Sequence, residues 1–350
     1  MKTFGIYTLA NDVVFDQLVA LLNSIEANVG YDIPVCVIPF DNRLSRVKQE
    51  IDFRPNVTLF EDQSSIDRWE QFARQFANIH PEARQTQQFH PRWYAGKLHR
   101  KFVAFDGPFD QFVFFDADSL AMKPLKDVQE KLQTYDFVFD DWEHSKSQAN
   151  AALNIPLIAA TGIFTQAEIQ SKLHCSSFFG SKRGIFNAQE LDILLKRITQ
   201  ENEADWVNGQ AWWDDAFLFN YMTLRSNRSQ FNFTLSPNAQ DRCGNCANAD
   251  PFVVIDNVLF NQQGLKPIHR IHYMGYASID FTRLSQGEDI DIPFKDIFLN
   301  YRFMKQPEQK PLLLKAPSFQ TKANRWFRRI TKKISKIANT KGKVTTSFPV

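Results

Sequence analysis

The feature that most constrains the fold is a regular alternation of short apolar runs with amphipathic stretches in the first 140 residues. Thr3–Thr8 is an apolar run that reads as a buried strand. Asp12–Asn28 follows, with Val13, Leu18, Leu21, Leu22 and Ile25 on one helical face. Pro34–Phe40 is a second apolar run, closed by Asp41. Strand, helix and strand with short joins is the pattern of a parallel βαβ unit. Asn56–Phe60, a helix near Ser65–Asn78, a helix after Pro91 running to Phe105, a strand at Phe109–Phe115 and one at Tyr135–Phe139 continue it.

Beyond about residue 145 the alternation loosens. The expected elements there are a helix at Ala188–Thr199, a Trp-rich helix at Ala211–Leu224, and strands at Phe231–Leu235, Phe252–Phe260 and His269–Tyr273. No internal repeat is visible. The chain is expected to be α/β, with a mixed sheet flanked by helices. Its expected domains are a globular body over 1–305 (with halves at about 1–140 and 141–305), a linker at 306–321 and a tail at 322–350. The 33 Phe residues point to an aromatic core.

The sharpest local pattern is Phe112–Leu125, FVFFDADSLAMKPL. An apolar strand delivers Asp116, and two residues later Asp118, at its carboxyl end, where open α/β sheets bind ligands. Alternation along a strand would point both carboxylates the same way. Two hard oxygen ligands suit Mg²⁺ or Mn²⁺, with a diphosphate filling further positions. The competing interpretation is a pair of ordinary acids at a solvated strand end.

The stretch AGKLHRKFVAFDGPFDQFVFFDADSLAMKPL resembles the metal-site region of the glycogenin-type, family 8 glycosyltransferases. In that family a Lys-Leu-His helix, here Lys97-Leu98-His99, precedes an apolar strand ending in Asp-x-Asp. The first strand and helix, FGIYTLANDVVFDQLVALLNSI, are also similar, and the resemblance places Tyr7, Thr8 and Asn11 against a uridine nucleotide. It implies a GT-A fold, Rossmann-like, and transfer of a hexose-like sugar from a nucleotide-diphosphate donor with retention of configuration. The family's His-x-x-Gly is similar to His272 and Gly275, which implies His272 as a third metal ligand and Gly275 against the diphosphate. Asp215-Ala-Phe-Leu-Phe-Asn220 resembles the family's donor-sugar helix, implying a catalytic role for Asp215; Lys97 would add a cation beside the phosphate. The cofactor implied is Mn²⁺ (or Mg²⁺), and the partners are a UDP-type sugar donor and a glycan, lipid or protein acceptor.

The sequence also departs from the family. Ala216 stands where a Gln is usual, GYASIDF follows the His-x-x-Gly instead of Lys-Pro-Trp, and SSFFGSKRGIF occupies the place of an Asn-Ser-Gly segment. Two other functional classes stay open: a haloacid-dehalogenase-like phosphatase with Asp116 as nucleophile, and a catalytically silent GT-A-like binding protein. Cys243-x-x-Cys246 followed by His269-x-x-His272 also offers types suited to a structural zinc, against a simple turn at Gly244-Asn245.

Charge separates the body from the tail. The chain has 41 Lys and Arg against 39 Asp and Glu, a net of +2. Eleven of those bases and no acid lie beyond residue 308, leaving 1–308 at −9. An acidic body repels phosphate backbones, so no nucleic-acid partner is expected. In NRWFRRITKKISKIA, from Asn324 to Ala338, Trp326, Phe327, Ile330, Ile334 and Ile337 share one side of a helix and six bases fill the other. That is the pattern of an interfacial membrane helix, here one seeking an anionic surface. Four Cys, the lack of an apolar leader in MKTFGIYTLANDVV and the lack of a membrane span set the expectation of a cytoplasmic protein, peripheral to the inner face of a membrane. Sedimentation with anionic liposomes should therefore depend on residues 322–343. A truncation that pellets as well as the full chain would contradict it.

Overall fold

The computed structural model describes residues 3–79, 97–146, 149–206, 215–238, 251–262 and 265–316. The expected amphipathic tail helix lies outside them, as do Trp212, Trp213 and the two cysteines of the candidate zinc motif.

The alternation read from the sequence becomes four parallel strands: β1 (Phe4–Ala10), β2 (Val35–Pro39), β3 (Val57–Leu59) and β4 (Gln111–Asp116). Three more strands extend the sheet: β6 (Phe137–Phe139), β7 (Phe178–Lys182) and β8 (Gln230–Asn232). The order is β3-β2-β1-β4-β7-β6-β8, with β7 antiparallel to both neighbours and β6 parallel to β8. The result is a mixed α/β sheet flanked by helices. The chain winds outward from β1 to β3 and then returns to the other side of β1, so a topological switch point lies between the carboxyl ends of β1 and β4. Leu9 and Asp116 are register partners there.

Three apolar clusters hold this together. One face of the sheet packs on a cluster rich in rings, among them Phe102, Phe105, Phe112, Phe137, Phe179, Phe186 and Phe219. The Phe105–Phe186 and Phe179–Phe219 centroids are 5.0 and 4.6 Å apart, at the steep interplanar angles aromatic quadrupoles favour. That accounts for much of the chain's phenylalanine. The other face packs Ile6, Ala10, Val113 and Phe115 against Leu18, Leu21, Leu22 and Ile25 of the helix Phe15–Asn28.

The third cluster is built around a separate antiparallel pair, β5 (Ser119–Ala121) with β11 (Arg270–His272). It is closed by the helices Ser278–Ser285 and Lys295–Arg302. Asn23 donates to the Tyr301 carbonyl (2.7 Å) and Arg302 pairs with Asp16 (2.8 Å), which ties this C-terminal layer to the first helix.

Several expectations shift in detail. The expected strand at Phe252–Phe260 is a hairpin, β9 (Phe252–Ile255) and β10 (Val258–Asn261). Its turn is Asp256-Asn257, both at positive φ, as a two-residue hairpin with the sheet's twist requires. The expected strand Phe231–Leu235 turns into a 3₁₀ helix after Asn232, whose side chain accepts from the Thr234 amide. Within the expected linker, Lys315 exchanges backbone hydrogen bonds with Gly287 and Asp289, at 2.8 and 2.7 Å, so that part of it lies along the body.

The close seat of Phe109 on β1 gives a test. A Cβ at Gly5 would meet the Phe109 ring at 2.4 Å. Gly5→Ala should cost about 1–3 kcal/mol through overpacking and lower the urea midpoint. A second change, Phe109→Leu, should recover part of the loss. An unchanged midpoint in Gly5→Ala would contradict this packing.

Candidate active site

Asp116 is the last residue of β4, but Asp118 does not lie on that strand. Ala117 and Asp118 form the turn into β5. The two carboxylates therefore converge through a tight turn and not through strand alternation, which corrects the expectation from the sequence. The partner that completes them arrives across β11. His272 is the register partner of Ser119, and the Tyr273 amide donates to the Asp118 carbonyl (2.9 Å). Side-chain ligand atoms of Asp116, Asp118 and His272 all lie within 4.8 Å of one another. His272 Nε2 is 3.2 Å from Asp118 Oδ1.

These residues fit a hard divalent cation. Neighbouring corners of an octahedron with ~2.1 Å bonds lie about 3 Å apart, close to the Asp118–His272 separation. Two carboxylates and an imidazole are acceptable donors for Mn²⁺.

Beside them lies a group the sequence reading did not single out. Lys101, in the 3₁₀ helix Lys97–Phe105, is buried, and its Nζ bridges Asp116 (3.0 Å) and Asp215 (2.7 Å). It also approaches the Ser176 carbonyl and the face of Phe114. An α-helix would align residues four apart, placing Lys97 and Lys101 on one side. Three residues per turn instead put His99, Phe102 and Phe105 in a single row, and set Lys97 a third of a turn from Lys101. Lys97 is half-buried at the start of the segment. Only the local winding identifies which lysine meets the aspartate.

The electrostatics follow from burial and pairing. Burial opposes the charge on Lys101, yet Asp116 and Asp215 outweigh it and hold its pKa above the ordinary lysine value. Burial pushes Asp116 up, and the carboxylates of Asp118 and Asp215 add to that push beyond what Lys101 offsets. For Asp118 burial is outweighed by His272, with Arg270 assisting, and its pKa is lowered. For Asp215 burial is outweighed by Lys101, so it too is lowered.

The other residues singled out from the sequence are distributed differently. The Tyr7 ring is fully buried between Phe109 and Phe112, and its hydroxyl accepts from the Phe109 amide (3.5 Å), toward the opposite end of the sheet from Asp116. Thr8 is buried in β1, and its hydroxyl has no hydrogen-bond partner among the described residues. Asn11 caps the 3₁₀ helix Asp12–Val14 by accepting from the Val13 amide (3.0 Å), and its side chain also bonds Asp41. Gly275 follows β11 in an exposed turn at φ +86°. An added Cβ there meets nothing, so backbone conformation alone favours glycine.

Asp215 opens the helix Asp215–Ser226 and faces Lys101. Asn220, from the same sequence motif, is a structural staple: it exchanges hydrogen bonds with the backbone of His174 (3.0 and 2.7 Å). His269, the other histidine of the candidate zinc pattern, is buried between Asp140 (2.6 Å) and Asp127 (3.0 Å). Both its ring nitrogens are thereby engaged.

No protein-family model matches the chain, and no curated protein matches it by sequence. Among solved structures it is similar to mouse xyloside xylosyltransferase 1 in its apo form, at 8% identity and a TM-score of 0.46 over 65% of this chain and 84% of that one. It is similar to the apo structure of the bifunctional glycosyltransferase WbbM, at 12% identity and a TM-score of 0.42 over 89% of this chain and 52% of that one. It is also similar to galactosyltransferase LgtC in complex with donor and acceptor sugar analogues, at 12% identity and a TM-score of 0.46 over 80% of this chain and 94% of that one. These neighbours are glycosyltransferases; the likeness is too distant to place the chain in a family.

The Lys101 bridge yields a prediction. Lys101→Met leaves two buried carboxylates facing each other without their cation, and should cost about 3–5 kcal/mol at neutral pH. Because pairing lowers the Asp215 pKa, its stabilisation is present above the unfolded carboxylate value and fades as pH falls through the folded one. The melting temperatures of wild type and variant should therefore converge on acidification. A gap that stays constant to low pH would contradict the bridge.

Proposed function

We propose that the protein is a divalent-metal-dependent glycosyltransferase of GT-A type, taking a nucleotide-diphosphate sugar, a UDP-sugar by resemblance, as donor. The observation that carries this reading is the convergence of Asp116, Asp118 and His272 at the switch point of the sheet. Asp116, Asp118 and His272 would hold Mn²⁺ or Mg²⁺, which supplies positive charge where the departing diphosphate gathers negative charge.

The protein's own residues supply the rest. Lys101 fixes the position of Asp116 and links it to Asp215, so the metal side and the helix bearing Asp215 are set by one buried cation. Asp215, held ionised, borders the site from the second half of the chain, where an acceptor-side or sugar-positioning role fits. Lys97 is placed at the edge of the same segment, as a cation toward the phosphate or sugar. Thr8, Asn11 and Gly275 are assigned to the nucleotide and diphosphate. For Tyr7 only the backbone is left to serve, since its side chain belongs to the core. Retention of configuration is carried over from the family resemblance. Membrane attachment through 322–343 is part of the same proposal.

Titration calorimetry tests the reading. Mn²⁺ should bind more tightly with UDP present, and a screen of sugar nucleotides should find one that is slowly hydrolysed. Asp118→Ala should abolish both effects and lower turnover by at least about a hundredfold, since it removes a charged ligand. Absence of nucleotide binding with Mn²⁺ present would remove the enzyme reading in favour of a silent binding protein. Phosphatase activity on simple phosphoesters, lost in Asp116→Asn, would favour a dehalogenase-like enzyme.

A further inference from the structure

Arg270 is among the most deeply buried side chains of the protein, at 1% exposure. Its Nη2 donates to Ser177 Oγ (2.9 Å) and its guanidinium lies over the Phe178 ring at 5.3 Å. Nε and Nη1 have no acceptor among the described residues. The carboxylate that feels its charge is Asp118, which makes no direct ion pair with it. The contrast with other well-covered arginines is plain. Arg54 pairs with Glu50, Arg225 with Glu203 and Arg302 with Asp16. A buried guanidinium without a counter-ion costs several kcal/mol unless an anion or well-placed dipoles offset it.

Its place in the fold gives the counter-ion a chemistry. In the β5–β11 ladder Arg270 faces Ala121 and His272 faces Ser119. Alternation sets Arg270, His272 and Ser119 on one face, while Leu120 and Ile271 turn into the third core. Two residues of strand separate Arg270 from the candidate ligand His272 by about 6.6 Å. Ser119, 1% exposed, has a hydroxyl that likewise finds no hydrogen-bond partner among the described residues. Ser177, which accepts from Arg270, is adjacent to Asp116 in space: its carbonyl accepts from the Asp116 amide (2.9 Å).

Unused donors thus collect on the same face as the metal triad. Charge points the same way. Asp116, Asp118 and Asp215 carry three negative charges against the two of Lys101 and Arg270; a divalent ion makes the site +1, which a dianionic diphosphate can enter.

We propose that Arg270, with the Ser119 hydroxyl, is the anion-binding side of this site and takes diphosphate oxygens that are not on the metal. The assignment rests on the donor reading of Asp116, Asp118 and His272. It gives the leaving diphosphate a protein cation independent of the metal.

Calorimetry on the full chain tests it with Mn²⁺ alone, then with UDP and with inorganic pyrophosphate in the presence of Mn²⁺. Arg270→Gln should bind Mn²⁺ alone no more weakly than the wild type but lose on the order of 10- to 100-fold in affinity for both anions, as for one charge-assisted contact. Arg270→Lys should recover only part of that loss, because a point charge does not reproduce the guanidinium. Unchanged UDP and pyrophosphate affinity in folded Arg270→Gln would overturn the role of Arg270 and leave the donor reading standing. Failure of the wild type to bind either anion would sink the donor reading itself, and this assignment with it. If Arg270→Gln does not fold, ¹⁵N-arginine-labelled wild type decides the matter. The Arg270 Nε–H resonance, assigned by its absence in Arg270→Lys, should shift on adding pyrophosphate with Mg²⁺, and a resonance that stays in place overturns the proposal.

Discussion

The arrangement of the site depends on one buried cation. Lys101 sits between Asp116 at the end of β4 and Asp215 at the start of a helix from the second half of the chain. Three carboxylates brought this close in a low-dielectric pocket would repel one another and resist ionisation. With Lys101 between them, Asp215 stays ionised and Asp116 is held at a fixed point. The aromatic packing beneath makes the position rigid: Phe102 and Phe105, from the same 3₁₀ segment as Lys101, belong to the ring cluster that also anchors β4 and β7.

The second constraint is a short strand pair that a sequence reader would overlook. β5 and β11 have three residues each and pair across about 150 residues of chain. That pairing places His272 beside Asp118, Arg270 beside Ser177, and the C-terminal helices against the first helix. The candidate metal ligands therefore come together only because the C-terminal layer folds back, so residues 1–140 do not contain the complete candidate site.

What the sequence makes legible follows from the range of the interactions involved. β1, β2 and β4 are legible because a parallel strand buried on both faces is a continuous apolar run, and the edge strand β3, with Thr58 exposed, is legible through the alternation that leads to it. The Asp116–Asp118–His272 grouping was legible through residue types and a family resemblance, although its geometry comes from a turn and not from strand alternation. β7 was not seen: its FFGSK carries a glycine and two polar residues and reads as a loop, yet it is central to the sheet. Its Gly180 lies so near Val128 that a Cβ would come within 3.0 Å. The family's Lys-Leu-His implies Lys97, and that Lys101 is the lysine meeting the aspartates follows only from the 3₁₀ winding. Arg270 carries no local signature at all, since what marks it is that its Nε and Nη1 find no acceptor among the described residues.

The central claim is that Asp116, Asp118 and His272 together form a divalent-metal site that serves a diphosphate. The most direct measurement is anomalous diffraction from crystals grown with Mn²⁺ and UDP. The expected result is a manganese peak within coordination distance of all three side chains, with the diphosphate on the same ion. Manganese held elsewhere, or UDP bound away from the carboxyl ends of β1 and β4, would contradict it.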